Sequence, residues 1–117
     1  MHFLARELPP YSEPVSADRL RDSAVYFSVT YADAEMHLPT VETLVFIGRN
    51  LESSEKDRLF FQDIDSHRKG IRYNSRSISK HATFFVCSPE ELGAVFEFEK
   101  ALEELMRCYI RRRQEPV

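Results

Sequence analysis

Ser88-Pro89-Glu90-Glu91-Leu92-Gly93-Ala94-Val95-Phe96-Glu97-Phe98-Glu99-Lys100-Ala101-Leu102-Glu103-Glu104-Leu105-Met106-Arg107-Cys108-Tyr109-Ile110-Arg111-Arg112-Arg113 is the stretch whose reading decides the fold. It reads as one long amphipathic helix over about 89–113. Ser88 suits an N-cap, Pro89 the first helical position, and Glu91 completes a capping box. Val95, Phe98, Leu102, Leu105 and Tyr109 then recur at alternating spacings of three and four, with Leu92 extending the stripe backward. Ala94, Ala101 and Cys108 widen one flank, while Glu97, Lys100, Glu103, Glu104, Arg107 and Arg111 fall on the other face. The apolar stripe is expected to face the core. Phe96 and Ile110 lie off it and are candidates for a second contact.

The charges follow the same axis. Glutamates crowd the first half and Arg107, Arg111, Arg112 and Arg113 close the second, which suits the helix dipole. Glu103 and Arg107 add one i,i+4 pair.

What precedes this stretch reads as strands. Residues 24–31 alternate, with Val25, Phe27, Val29 and Tyr31 on one side. Residues 41–48 carry the centre Leu44-Val45-Phe46-Ile47, apolar on both faces, which predicts an inner strand. Residues 58–64 and 82–87 are two further strands, and 71–73 a possible short one. The connections are too short for crossover helices, so neighbouring strands should be antiparallel. The expected fold is α+β: an antiparallel, curved sheet or partly open barrel of four or five strands, packed by the C-terminal helix. The arrangement resembles small barrels closed by a terminal helix, such as pleckstrin-homology-like folds, with fewer strands. That resemblance is architectural and assigns no functional residues.

At 117 residues the chain is expected to form one domain, 1–117. Residues 1–23, with Pro9, Pro10 and Pro14, read as an extended or loosely ordered lead-in with at most a helical turn near Ser16–Leu20. Pro9-Pro10-Tyr11 is a short polyproline-type patch without the second spaced proline of a groove ligand. Residues 52–57 and the serine-rich 74–81 read as loops.

Nine Phe, five Tyr and no Trp predict an aromatic core, and a formal charge of −3 offers no global field for nucleic acid or acidic membrane. No stretch reaches the length of a membrane span and the N-terminus carries no signal-like apolar run. Cys87 and Cys108 read as buried reduced thiols, and the expected location is cytoplasmic.

Charge is segregated. Between Ser66 and Ser88 there is no acidic residue, while Arg68, Lys69, Arg72, Arg76 and Lys80 supply five positive charges around Tyr73. With Arg111, Arg112 and Arg113 they form a candidate contact surface, provided loop and helix end are neighbours. The leading expectation is a small non-enzymatic binding protein, acting on a protein partner or on itself. The runner-up is single-stranded RNA or DNA, which needs cations for phosphates and an exposed ring for bases.

A third reading is a metal-dependent enzyme. Asp33-x-Glu35-x-His37 and Asp63-x-Asp65-x-His67 place oxygen and nitrogen donors on alternate residues, which project to one side of an extended chain. Solvated strand ends account for the same strings more simply, so no metal ligand is assigned. No nucleophile elbow is present, and three glycines leave no phosphate-cradling loop. No cofactor and no catalytic residue are assigned.

Overall fold

The computed structural model describes residues 12–52, 56–74 and 80–114. The Pro9-Pro10-Tyr11 patch, Arg76 and most of the serine-rich loop lie outside the described residues. The described chain is α+β, with an open antiparallel sheet and a long C-terminal helix.

Five strands are formed among the described residues: β1 Val25–Tyr31, β2 Pro39–Arg49, β3 Leu59–Asp63, β4 Phe84–Cys87 and β5 Val95–Phe96. Their order in the sheet is β4-β3-β2-β1-β5, every neighbouring pair antiparallel. β2 is an inner strand, as its apolar centre requires. The helices are the five-residue α1, Ile64–Arg68, and α2, Phe98–Gln114.

The helix starts later than its capping signal. Ser88 and Glu91 do make the reciprocal capping box, but on a single 3-10 turn, Pro89–Glu91. The chain then turns through Gly93 and lays Val95 and Phe96 against Ser28 and Phe27 of β1. That strand pairing buries both side chains, one on each face of the sheet. A continued helix would have buried one and left the β1 edge unpaired, so tertiary context overrides the local signal. Phe96, which lay off the helical stripe, is thereby explained as a strand residue. Two smaller differences follow the same logic. The third strand ends at Asp63 because that residue caps α1, and residues 71–73 are irregular rather than extended into a strand.

Cross-strand partners share a face, so the register separates two layers of packing. On one face Tyr26, Leu44, Phe46, Leu59 and Phe61 form the larger core, closed by Val15, Leu20, Leu92 and Val95. Part of the proline-rich lead-in therefore belongs to the core: Val15 donates its N–H to the Val95 carbonyl at 2.9 Å, and Ala17–Arg19 makes a 3-10 turn. On the other face Val29, Phe96 and Ala101 form a second cluster with Phe27, Tyr31 and Leu105, beneath α2. α1 lies on that same face, over β2 and β3, where the Gln62 amide donates to Ser66 Oγ at 2.8 Å and to the Ile71 carbonyl at 2.9 Å.

Candidate interaction surface

α2 meets the sheet through small residues. Ala101 and Cys108 are buried, one above Val29 and the other with its thiol 3.6 Å from the His37 carbonyl. Their small size lets the helix axis approach β1. This reverses the expected orientation of the stripe. Phe98, Leu102 and Tyr109, read from sequence as core positions, are 62%, 51% and 54% exposed, and Met106 and Ile110 are exposed beside them. The flank of small residues is the side that packs, and Leu105 sits at the boundary between the two.

Helical geometry shows where the exposed stripe points. At 3.6 residues per turn, Phe98, Tyr109, Leu102 and Met106 fall in a sector about 80° wide, roughly 110° around the helix from Ala101 and Cys108. The flank on the far side is held by the lead-in: the Arg107 guanidinium donates to the Ser12 hydroxyl, and Arg19 lies 3.6 Å from Glu97 just before the helix. Val15, three residues after Ser12, runs beside β5. The stripe is therefore turned toward β2. There Val41, the register partner of Val29, is exposed, and Phe98 meets Phe27 edge-on with ring centroids 5.4 Å apart. The exposed stripe of α2 and the exposed Val41 of β2 thus lie on the same face of the sheet.

The C-terminal part of α2 is fixed by a polar cluster. Tyr31 donates its hydroxyl to the Glu104 carboxylate, and Arg111 donates to that hydroxyl at 2.8 Å. Arg111 also lies 3.5 Å from Glu104, donates to the Met36 carbonyl at 3.1 Å, and stacks 5.2 Å over the Tyr31 ring. Burial first, then the neighbouring carboxylate, push the Tyr31 phenol up to about 12. Arg111 is thus a structural tie rather than a free surface cation. Arg112 and Arg113 are exposed beyond it, with Arg113 packed 5.8 Å over the Tyr109 ring.

The remaining basic positions are scattered. Arg68 and Lys69 are exposed at the end of α1, beside Asp65. Arg72 curls back to donate to the carbonyls of His67 and Ile71, both at 2.9 Å. Lys80 is exposed. Tyr73 is wedged edge-on between Phe60 and Phe84, with centroids 5.3 and 5.2 Å away, and its hydroxyl donates to Glu52. That hydrogen bond, then desolvation, push its phenol up to about 12. The two basic segments have different anchors. α1 follows Asp63, which pairs with Leu44, whereas the helix end is tied to Tyr31, which pairs with Pro39. Five residues of β2, roughly 17 Å, separate those anchors along the strand.

The two acidic strings do local work. Asp33 accepts the backbone N–H groups of His37 and Leu38 at 3.0 and 2.8 Å, closing the β1–β2 connection. Asp63 accepts from Ser66 N, Ser66 Oγ and Thr83 N at 2.9, 2.6 and 2.8 Å. In both, desolvation pushes the carboxyl up, but these donors outweigh it and hold the group below the ordinary carboxylate range. Among the described residues no group of three or more His, Cys, Asp or Glu side chains is placed to hold a metal ion. Among them, too, no helix is long and apolar enough to cross a membrane.

Sequence reasoning missed the exposed face of α2 because it weighted apolar size over fit. The signal was present in Ala101 and Cys108, two small residues seven apart. In comparisons with known families, curated proteins and solved structures, the chain matches none.

Proposed function

We propose that the chain is a small non-enzymatic interaction protein that binds another protein through the exposed apolar stripe of α2 beside β2. The observation that carries this reading is the exposed stripe of Phe98, Leu102, Met106 and Tyr109 on a helix whose opposite side is already packed. Single exposed apolar residues are ordinary, but contiguous apolar surface on one element marks an interaction site. A partner helix fits such a stripe by laying its own apolar side along it. Arg112 and Arg113 at one end, with Arg68, Lys69, Arg72 and Lys80 elsewhere on the surface, favour an acidic partner. A reducing cytoplasmic setting suits Cys87 and Cys108, both free thiols.

Nucleic acid is the second reading, through the same basic positions. It is weaker because the rings that could stack on bases already have partners, Tyr73 with Phe60 and Phe84, Tyr109 with Arg113 and Phe98 with Phe27.

The test is co-purification with the tagged full chain after nuclease treatment, in parallel with Leu102→Asp. A protein retained by the native chain and lost with Leu102→Asp is the expected result. Retention that vanishes with nuclease, or that Leu102→Asp leaves unchanged, overturns the reading.

A further inference from the structure

We infer that the outer edge of β4 is a second docking site, which takes an extended acidic segment of another protein as a sixth strand. The site lies three strands from β1, about 14 Å across the sheet, and is separate from the α2 stripe.

The two edges of the sheet are finished differently. At β5 the lead-in closes the edge, with the Val15 N–H on the Val95 carbonyl at 2.9 Å. At β4 no described residue does so. The ladder to β3 shows which groups are left over. Asp63 donates its N–H to the Thr83 carbonyl at 3.1 Å, and the register sets those residues opposite one another. Opposed pairs in an antiparallel ladder alternate between bonded and unbonded. Thr83, Phe85 and Cys87 therefore face β3, and Phe84 and Val86 turn their N–H and C=O groups outward. Apart from being short, at four residues, β4 has none of the devices that keep an edge from pairing: no charge, no proline and no bulge. The side chains also suit an added strand. Phe84 and Val86 stand opposite Gln62 and Phe60 on the α1 face, where Val86 is half exposed and the Phe84 ring meets Tyr73. An apolar residue at alternate positions of the incoming segment would cover Val86.

Charge names the occupant. The stretch that leads into β4 holds no acid between Ser66 and Ser88. Arg72 precedes the Tyr73 ring that packs on Phe84, and the exposed Lys80 lies four residues before Phe84. Two carboxylates close to the strand are already bonded, Glu52 by the Tyr73 hydroxyl and Glu91 by the Ser88 N–H at 2.9 Å. Glu90 is exposed past the other end of β4, so the acids of the incoming segment belong at the Lys80 end. In an antiparallel addition that is the segment's C-terminal end. A second copy fits less well, because pairing two four-residue strands falls far short of the roughly 1,000 Å² that a stable interface needs.

The experiment is amide exchange and chemical-shift titration of the labelled full chain. The probe is a capped eight-residue peptide that alternates valine and threonine and ends in three glutamates, beside its counterpart ending in three lysines. In the free chain the Phe84 and Val86 amides are expected to exchange fast and those of Phe85 and Cys87 slowly. The glutamate peptide is expected to protect Phe84 and Val86, and the lysine peptide to bind at least about tenfold more weakly. Val86→Pro removes one outward N–H and leaves the β3 ladder intact, since an edge strand tolerates proline where its N–H faces solvent. It is expected to lose binding about tenfold or more, whereas Val86→Thr keeps it. Lys80→Glu should weaken it about threefold and Leu102→Asp should leave it unchanged. Circular dichroism confirms that each variant is folded. No binding of the glutamate peptide up to millimolar concentration overturns the inference, as does equal binding of both peptides or binding that Val86→Pro leaves intact. Loss of binding with Leu102→Asp would move the peptide to the α2 stripe, and a dimer in sedimentation that Val86→Pro abolishes would mean that the edge pairs with itself; either result overturns the inference and leaves the reading of the stripe standing.

Discussion

Val29 and Val41 stand directly opposite one another in β1 and β2, on the same face of the sheet, yet one is 4% exposed and the other 46%. α2 ends its coverage between them. Val29→Ala should cost about 1.5–3 kcal/mol, read as a lower urea midpoint at constant slope, because a methylene pair is lost beneath Ala101 and Leu105. Val41→Ala should change stability by less than about 0.5 kcal/mol.

The close approach of α2 should be intolerant of size. Ala101 is buried over Val29 and Phe96. Ala101→Leu should destabilise by about 1–3 kcal/mol through overpacking, whereas Leu102→Gln, one residue on, should be near neutral. Thermal denaturation of the two variants side by side decides whether the small flank is the packed one.

The Tyr31 cluster sets an alkaline limit. A phenol raised to about 12 holds its proton more tightly in the folded chain than in the unfolded one, whose ordinary value is 10.0. Stability from this source is complete below pH ~10 and is lost as pH rises from there toward ~12. Tyr31→Phe should flatten part of that decline, and Tyr73→Phe another part, in urea titrations across the same window.

At the acid end Asp63 gives the opposite sign. Its carboxyl is held below the ordinary range, so the contribution is present above pH ~4 and is lost as pH falls through the lower folded value. Asp63→Ala should cost about 1–2 kcal/mol at neutral pH, as it leaves Ser66 and Thr83 without their acceptor. Chemical denaturation of Asp63→Ala at neutral pH and below pH ~4 should find the gap from the native chain narrowing.

Gly48 adopts φ +145 at the bulge where β2 slips against β3, and a Cβ there would come 2.9 Å from Leu51 Cδ2. Gly48→Ala should therefore destabilise by about 1–3 kcal/mol, measured by thermal shift.

The strands were legible where pattern and burial agree. Alternation over Val25–Tyr31 and the doubly apolar Leu44–Ile47 were enough to place β1 and an inner β2. The helix was legible as an element but not in its start or its facing. Ser88 and Glu91 carry a true capping box, and nothing local distinguishes a 3-10 turn from the first turn of a long helix. The facing depended on which partner the helix met: against the flat run Phe27-Val29-Tyr31, small residues pack and large ones overhang. The basic positions were legible as charges only. Whether Tyr73 would present its ring or bury it depended on Phe60 and Phe84, which lie on β3 and β4.

β5 ties β1 to the segment that leads into α2, with Phe96 beside Phe27. During synthesis β1 emerges about seventy residues before the strand that closes its edge, and β2 can pair with it on the other side long before then. Until Val95 and Phe96 arrive, one edge of β1 stays open and Val29 lacks its helical cover. The nascent chain is thus most exposed to mispairing in the interval before residues 95–96 leave the ribosome. A stall or cleavage within residues 88–97 would leave a sheet with an open apolar edge rather than merely a shorter protein.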